Sequence, residues 1–258
     1  MLLRRIIEHV KAQNWTAIAI DFVIVVVGVF IGIQVSNWNE DRQGASRTQS
    51  YYNRLINDLE SERRALLARL DYLAVTGNYG RSALAALSDP AKMKSSEFLI
   101  AAYQASQDWT YAVQKASYDE ILASGIADAI PDPDLRTQLA NVFLNAEAMR
   151  QVVVTITPYR QQIRRYLPDD IQTAIRASCS DRFISTKNSL LILELPSTCA
   201  IEFRKDQIVA AMDALDEYRL FERELVQRLA SIDITVTAVE AHLLLIDSLV
   251  EELRSRLQ

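Results

Sequence analysis

The chain has 258 residues, a formal net charge of −5, 50% hydrophobic residues, and only six glycines and six prolines. This length can bury a core without obligatory staples. Scarce glycine and proline beside abundant Leu, Ala, Ile, Arg and Glu argue against a sandwich, a barrel or an α/β enzyme and for an all-α fold. The modest acidic balance argues against a nucleic-acid partner.

Residues 2–12 place Leu2, Leu3, Ile6, Ile7 and Val10 at helical spacing, with Arg4, Arg5, Glu8 and Lys11 on the other side. The expectation for residues 1–14 is a short amphipathic helix on cytoplasmic headgroups; the alternative is a longer spanning helix with a wet first turn. So short a tail is not expected to house a signalling domain. Residues 15–38 hold the run TAIAIDFVIVVVGVFIGIQV between Trp15 and Trp38. About 20 apolar residues at roughly 1.5 Å each match a hydrocarbon core of roughly 30 Å, and tryptophans favour its two edges. A cleaved signal peptide would be shorter and followed by a small-x-small site, whereas Ser36, Asn37, Trp38 and Asn39 follow here. Arg4, Arg5 and Lys11 favour a cytoplasmic N-terminus, which places the remainder outside, in the periplasm of a bacterial inner membrane.

On a helical wheel Ala17, Asp21, Val25, Gly28, Gly32 and Ser36 share a stripe, while Val23, Val26, Val27, Phe30 and Ile33 lie opposite. Gly28-x-x-x-Gly32 lets two backbones approach closely in lipid. Asp21, about 9 Å below Trp15, is costly as an isolated carboxylate in a bilayer. It is expected to be protonated, hydrated or paired in a helix–helix contact, or simply to reach the headgroups. The expected partners are the lipid bilayer and either a second copy or other integral membrane subunits.

Residues 39–50 are polar and contain Gly44, which reads as a juxtamembrane linker: a hinge or an exposed helix turn. Residues 51–258 read as one helical periplasmic domain. A helix from Tyr51 carries Tyr52, Leu55, Leu59, Leu66, Leu70 and Leu73, with Gly77 and Gly80 as interruptions. Residues 81–87 and Ser95–Gln107 follow as shorter helices. Ser117-Tyr118-Asp119-Glu120 has capping-box spacing, with Gly125 as the helix stop. Asp132-Pro133 opens a further helix, which Pro158 should kink and Pro168 should end.

Cys179 and Cys199 flank the least helical part, and outside the cytoplasm they read as a disulfide. The segment between them reads as a small clamped hairpin, or as a short helix over residues 188–195. From Ile208 to Leu257, apolar residues alternate steps of three and four, with Glu222 the charged exception. This predicts one long, heptad-patterned helix. The architecture expected is therefore a single membrane helix followed by an elongated helical bundle.

No catalytic, cofactor or metal constellation is evident. His9 and His242 are isolated, no glycine pattern cradles phosphate, and the cysteine spacing fits no zinc or redox motif. Arg160, Arg164 and Arg165 read as surface residues or, less readily, as an anion site. Trp109, Tyr111 and Tyr118 are core aromatics or pocket lining. An enzyme would need polar side chains converging from separate helices. The leading expectation is a membrane-anchored structural or interaction protein; the alternative is a periplasmic ligand-binding or sensor module acting through a separate transmembrane partner.

LLRRIIEHVKAQNW, DFVIVVVGVFIGIQVSNWNE and SYDEILASGIADAI resemble a bacterial family of small, uncharacterised inner-membrane proteins. That resemblance implies one N-terminal spanning helix, an extracytoplasmic helical part, and no particular activity.

Overall fold

The computed structural model describes residues 15–110, 112–125, 129–153, 157–185 and 191–257. The amphipathic segment expected over residues 1–14, with Arg4, Arg5 and Lys11, lies outside them. Among the described residues the secondary structure is helical apart from one hairpin. Its elements are α1 (Trp15–Ala86), α2 (Pro90–Met93), α3 (Ser96–Gln104), α4 (Ala116–Ser124), α5 (Pro133–Val153), α6 (Pro158–Tyr166) and α7 (Asp169–Cys179). β1 (Arg182–Ser185), β2 (Leu191–Glu194), α8 (Lys205–Asp216) and α9 (Phe221–Ser255) complete it.

Local chemistry sets three of the helix starts. Asp89 accepts from the N–H groups of Ala91 and Lys92 ahead of Pro90, and Ser95 Oγ accepts from Phe98. Asp132 Oδ1 accepts from Asp134 at 2.7 Å and Leu135 at 3.2 Å, with Pro133 in the first turn, where its missing N–H costs nothing. Gly125, at φ 103°, ends α4 in a conformation that a side chain would strain.

The 72-residue α1 is the spine, about 108 Å long at 1.5 Å per residue. Residues 39–50 are continuous helix, so the helical alternative for that stretch is the one observed, not a hinge. Gly77 and Gly80 do not interrupt it either. Gly80 lets α9 come close, since a Cβ there would sit 2.8 Å from Leu229 Cδ2, whereas a Cβ on Gly77 would meet Ile232 only at an ordinary 3.7 Å. Residues 81–87 are thus mostly the end of the spine rather than a separate helix. Gly80→Val should overpack this crossing and lower stability by about 2 kcal/mol, with partial recovery on adding Leu229→Ala. Urea denaturation of the single and double variants measures both effects.

α9 runs antiparallel to α1, since Gly80 meets Leu229 and Arg63 Nε donates to Asp247 at 2.7 Å further along. α5 packs on α9, tied by Arg256 to Asp132 at 2.6 Å. The long helix expected from Ile208 is in fact two, broken at Glu217–Leu220. There Tyr218 turns inward, stacks on Tyr166 at 5.5 Å and meets Phe221 edge-on. Pro158 opens the new helix α6 at its first turn, where a kink was expected. Ser117 caps nothing: it lies inside α4 and its N–H donates to Asp58 at 2.8 Å, while Glu120 pairs with Arg54. The segment after Cys179 is a hairpin, with Arg182 opposite Glu194 and Ser185 opposite Leu191, and a disulfide joins Cys179 to Cys199.

Two apolar cores lie in series along α1 and α9. One gathers Tyr52, Leu55, Leu59 and Leu66 with α4, α5 and the end of α9. The other gathers Ala83 and Ala86 with α3, α6, α7, α8 and the start of α9.

Candidate functional site

Two features are not explained by packing alone. The first is the N-terminal third of α1. Among the described residues no other element covers its apolar window, and Phe22 is 69% exposed. A contiguous apolar surface of this extent is unfavourable in water and needs a cover. Val25 is exposed, nothing lies within 4 Å of a Cβ built on Gly28 or Gly32, and Ser36 Oγ donates to Glu40 at 3.3 Å. Ala17 and Asp21 lie on the same helix, and Trp15 and Trp38 are exposed at the two ends of the run, with Arg42 stacked over Trp38. A second helix, α9, is also long and apolar enough to cross a membrane, so two helices pass that test. A third of α9's most apolar window is buried inside the fold, against none for α1.

The second feature is a polar layer where the two cores meet. Arg69 and Tyr72 of α1, the α3–α4 connection Ala105–Trp109, Arg160 and Arg164 of α6, Asp181 after α7 and Arg228 of α9 converge there. Arg228 donates to the carbonyls of Ala105 at 3.3 Å and Gln107 at 2.6 Å and stands 4.0 Å from Asp108. Arg164 donates to Ser106 Oγ and to Gln107 Oε1 at 2.8 Å, and Arg160 donates to Ser106 O. These guanidiniums meet the carbonyl end of α3, where the helix dipole is negative. Gln104 Nε2 donates to Cys179 O at 2.8 Å, which joins the layer to the disulfide. Tyr72 donates to Asp181 Oδ2 at 3.2 Å and meets Trp109 edge-on, with Arg69 over the same indole at 5.7 Å.

Arg69 and Arg228 are only 2% and 6% exposed. Burial pushes the Arg69 guanidinium down to about 10, opposed by the Asp108 carboxylate. Burial also lowers Arg228 and Arg164, the latter helped by the neighbouring Arg160 charge. Burial raises the Asp181 carboxyl, with the Tyr72 hydroxyl and the arginines pulling it back.

Sequence reasoning found Arg160 and Arg164 but not their companions. One signal was present: Arg69 follows Leu66 by three, and Arg228 follows Leu225 by three, so both occupy core positions of their stripes. Trp109 joins the layer, whereas Tyr118 stacks on Phe143 at 4.3 Å in the other core, so they do not line one pocket; Tyr111 lies outside the described residues. Among the described residues no group of three or more His, Cys, Asp or Glu can hold a metal ion.

The exit of the apolar run at Glu40 comes close to the stretch Ser117–Ile130. Glu40, Gly44, Arg47 and Tyr51 of α1 face Ser124, Gly125 and Ala129 across a groove of about 430 Å³, and Tyr51 and Ser124 share a hydrogen bond. No curated protein and no solved structure matches the chain. The model of DUF6090, a family of unknown function, matches residues 21–153. That span takes in the exposed end of α1, both sides of the groove and α5, and as it covers just over half of the chain, the chain belongs to DUF6090.

Proposed function

We propose that this chain is a membrane-anchored interaction protein of the bacterial inner membrane. Its N-terminus is cytoplasmic, its helical domain periplasmic, and its spanning helix contacts a second copy or another integral membrane subunit. The uncovered apolar run of α1 carries this reading. Lipid is the cover whose thickness matches it. The disulfide supports an oxidising compartment for the domain.

The composition of the Asp21–Gly28–Gly32 stripe supports the contact. The groups there are small, as close helix approach in lipid needs, and Asp21 can accept from a partner's donor.

Gly28→Leu, Gly32→Leu and Asp21→Val combined should abolish co-purification of partners in mild detergent while leaving the chain in the membrane fraction. Unchanged assembly in the triple variant would sink the contact reading. Protease cleavage of the domain in intact spheroplasts tests the orientation, since a cytoplasmic domain would be protected.

A further inference from the structure

We infer that the outward face of α9 is a self-association seam, through which two copies of this chain pair side by side, parallel and in register. α9 carries more apolar surface than its own fold uses, since only a third of its most apolar window is buried. Ile234 is 61% and Leu244 72% exposed, and Val226 and Leu245 are exposed beside them. Such a surface is costly in water and is relieved by a cover.

The spacing of this face points to a second copy as the cover. Ala230, Ile234, Thr237, Ala241, Leu244 and Ser248 are all exposed and follow one another in steps of four, three, four, three and four. They form a second seven-residue repeat, on the side of α9 opposite the buried Ile232, Val239, Ile246 and Leu253. That is the period of a two-stranded coil, with Ile234, Ala241 and Ser248 at its a positions and Ala230, Thr237 and Leu244 at d. A β-branched residue at a with leucine at d favours two parallel strands, and Ile234 and Leu244 stand so. The flanking charges agree. Asp233, Glu240 and Asp247 occupy one flank, the g positions, whereas Ser231, Ala238 and Leu245 at e carry no charge. Arg81 and Arg63 of α1 pair with Asp233 and Asp247, which leaves Glu240 without an ion pair among the described residues. In a parallel pair each g flank meets the uncharged e flank of the other helix. In an antiparallel pair g would meet g and set Glu240 against the acidic flank of its copy. A twofold pair uses the same patch on both chains, as this repeat allows.

Two chains inserted in one membrane in the same direction also present α9 in the same direction and at the same height. This last support rests on the membrane reading above; the repeat and its flanks do not. The seam is about 27 Å long at 1.5 Å per residue, short for a pair in dilute solution, and anchoring both chains in one bilayer raises their effective concentration. The native cysteines are bridged, so a cysteine introduced on the seam is the one free thiol. Ala230→Cys, Ala241→Cys and Ser248→Cys can be made separately in the full chain and the membranes oxidised mildly. Each should give severalfold more disulfide-linked dimer than Leu144→Cys, an equally exposed position on α5. Leu244→Glu added to Ala241→Cys should reduce the dimer to the Leu144→Cys level, and as Leu244 is exposed the change leaves the core of each chain intact. An antiparallel pair joins like positions only near its centre, so dimer at Ala241 without dimer at Ala230 and Ser248 overturns the proposal. Yields at all three no higher than at Leu144→Cys overturn it as well. Carbonate washing of the same membranes separates the two readings. Seam dimers in a chain that washes out would sink the membrane reading alone, and a chain that stays in the membrane without seam dimers would sink the seam alone.

Discussion

Reduction of the Cys179–Cys199 bridge should lower the thermal midpoint of the domain by about 6–12 °C, the equivalent of about 3 kcal/mol. The bridge closes a loop over a separation of 20 residues. Its chief effect in the chain-entropy picture is to restrict the unfolded ensemble. The folded geometry has other ties on both sides of the bridge. Gln104 donates to the carbonyl of Cys179, Tyr79 donates to the carbonyl of Pro196 at 2.9 Å, and the Phe203 N–H donates to Ser96 at 2.9 Å. The reduced protein is therefore expected to keep its helical circular dichroism at low temperature and to melt earlier. Cys179→Ala with Cys199→Ala should melt where the reduced wild type melts and should ignore reductant. A midpoint that does not move on reduction would mean that the hairpin is held by these non-covalent ties in the unfolded ensemble as well.

The parts of the fold legible in the sequence were those decided locally. The apolar run of α1 is a property of consecutive residues, and the Asp132-Pro133 start needs only its own backbone. The stretch between the cysteines was legible only as non-helical around Phe183 and Ile184, and the pairing of β1 with β2 decides for the hairpin over the short helix. What was not legible depends on partners distant in sequence. Gly77 and Gly80 look like helix breakers by propensity, yet both lie inside α1, and at Gly80 α9 needs the room. The break at Glu217–Leu220 carries no glycine or proline; it exists because Tyr218 stacks on Tyr166. Ser117 and Glu120 have the spacing of a local cap, but Asp58 and Arg54 of the spine compete for them and win. The polar layer was hidden most fully. Arg69, Asp108, Arg160, Asp181 and Arg228 come from five separate segments, and only the core-stripe positions of Arg69 and Arg228 hint at burial.

Two buried groups should give the domain opposing responses to pH. Glu62 of α1 is 2% exposed and accepts from the Gln114 N–H at 3.0 Å, and burial pushes its carboxyl up to about 7. His242 of α9 is 3% exposed, neither ring nitrogen has a hydrogen-bond partner among the described residues, and burial pushes it down to about 4. A carboxyl raised in the fold releases its proton more readily when unfolded. Its cost is absent below about pH 4.5, grows through about pH 7, and then stays constant. A histidine lowered in the fold acts in the other direction: stability is complete above about pH 6.5 and is lost as pH falls towards about 4. Each shift corresponds to about 3 kcal/mol. Between about pH 4.5 and 6.5 the two slopes oppose one another, so their sum conceals both. Substitution separates them. Glu62→Gln keeps an acceptor for Gln114 and should unmask the histidine slope, with stability rising relative to wild type by about 3 kcal/mol between pH 4.5 and 7.5. His242→Leu removes two unsatisfied nitrogens and should raise stability at pH 7 by about 1–2 kcal/mol. Its gain over wild type should then grow by about 3 kcal/mol as pH falls from about 6.5 to 4. Urea midpoints at half-unit pH steps resolve these differences, because every other titrating group is common to the variants and the wild type. Variant-to-wild-type differences that stay constant across the range would show that neither group is desolvated in the folded domain.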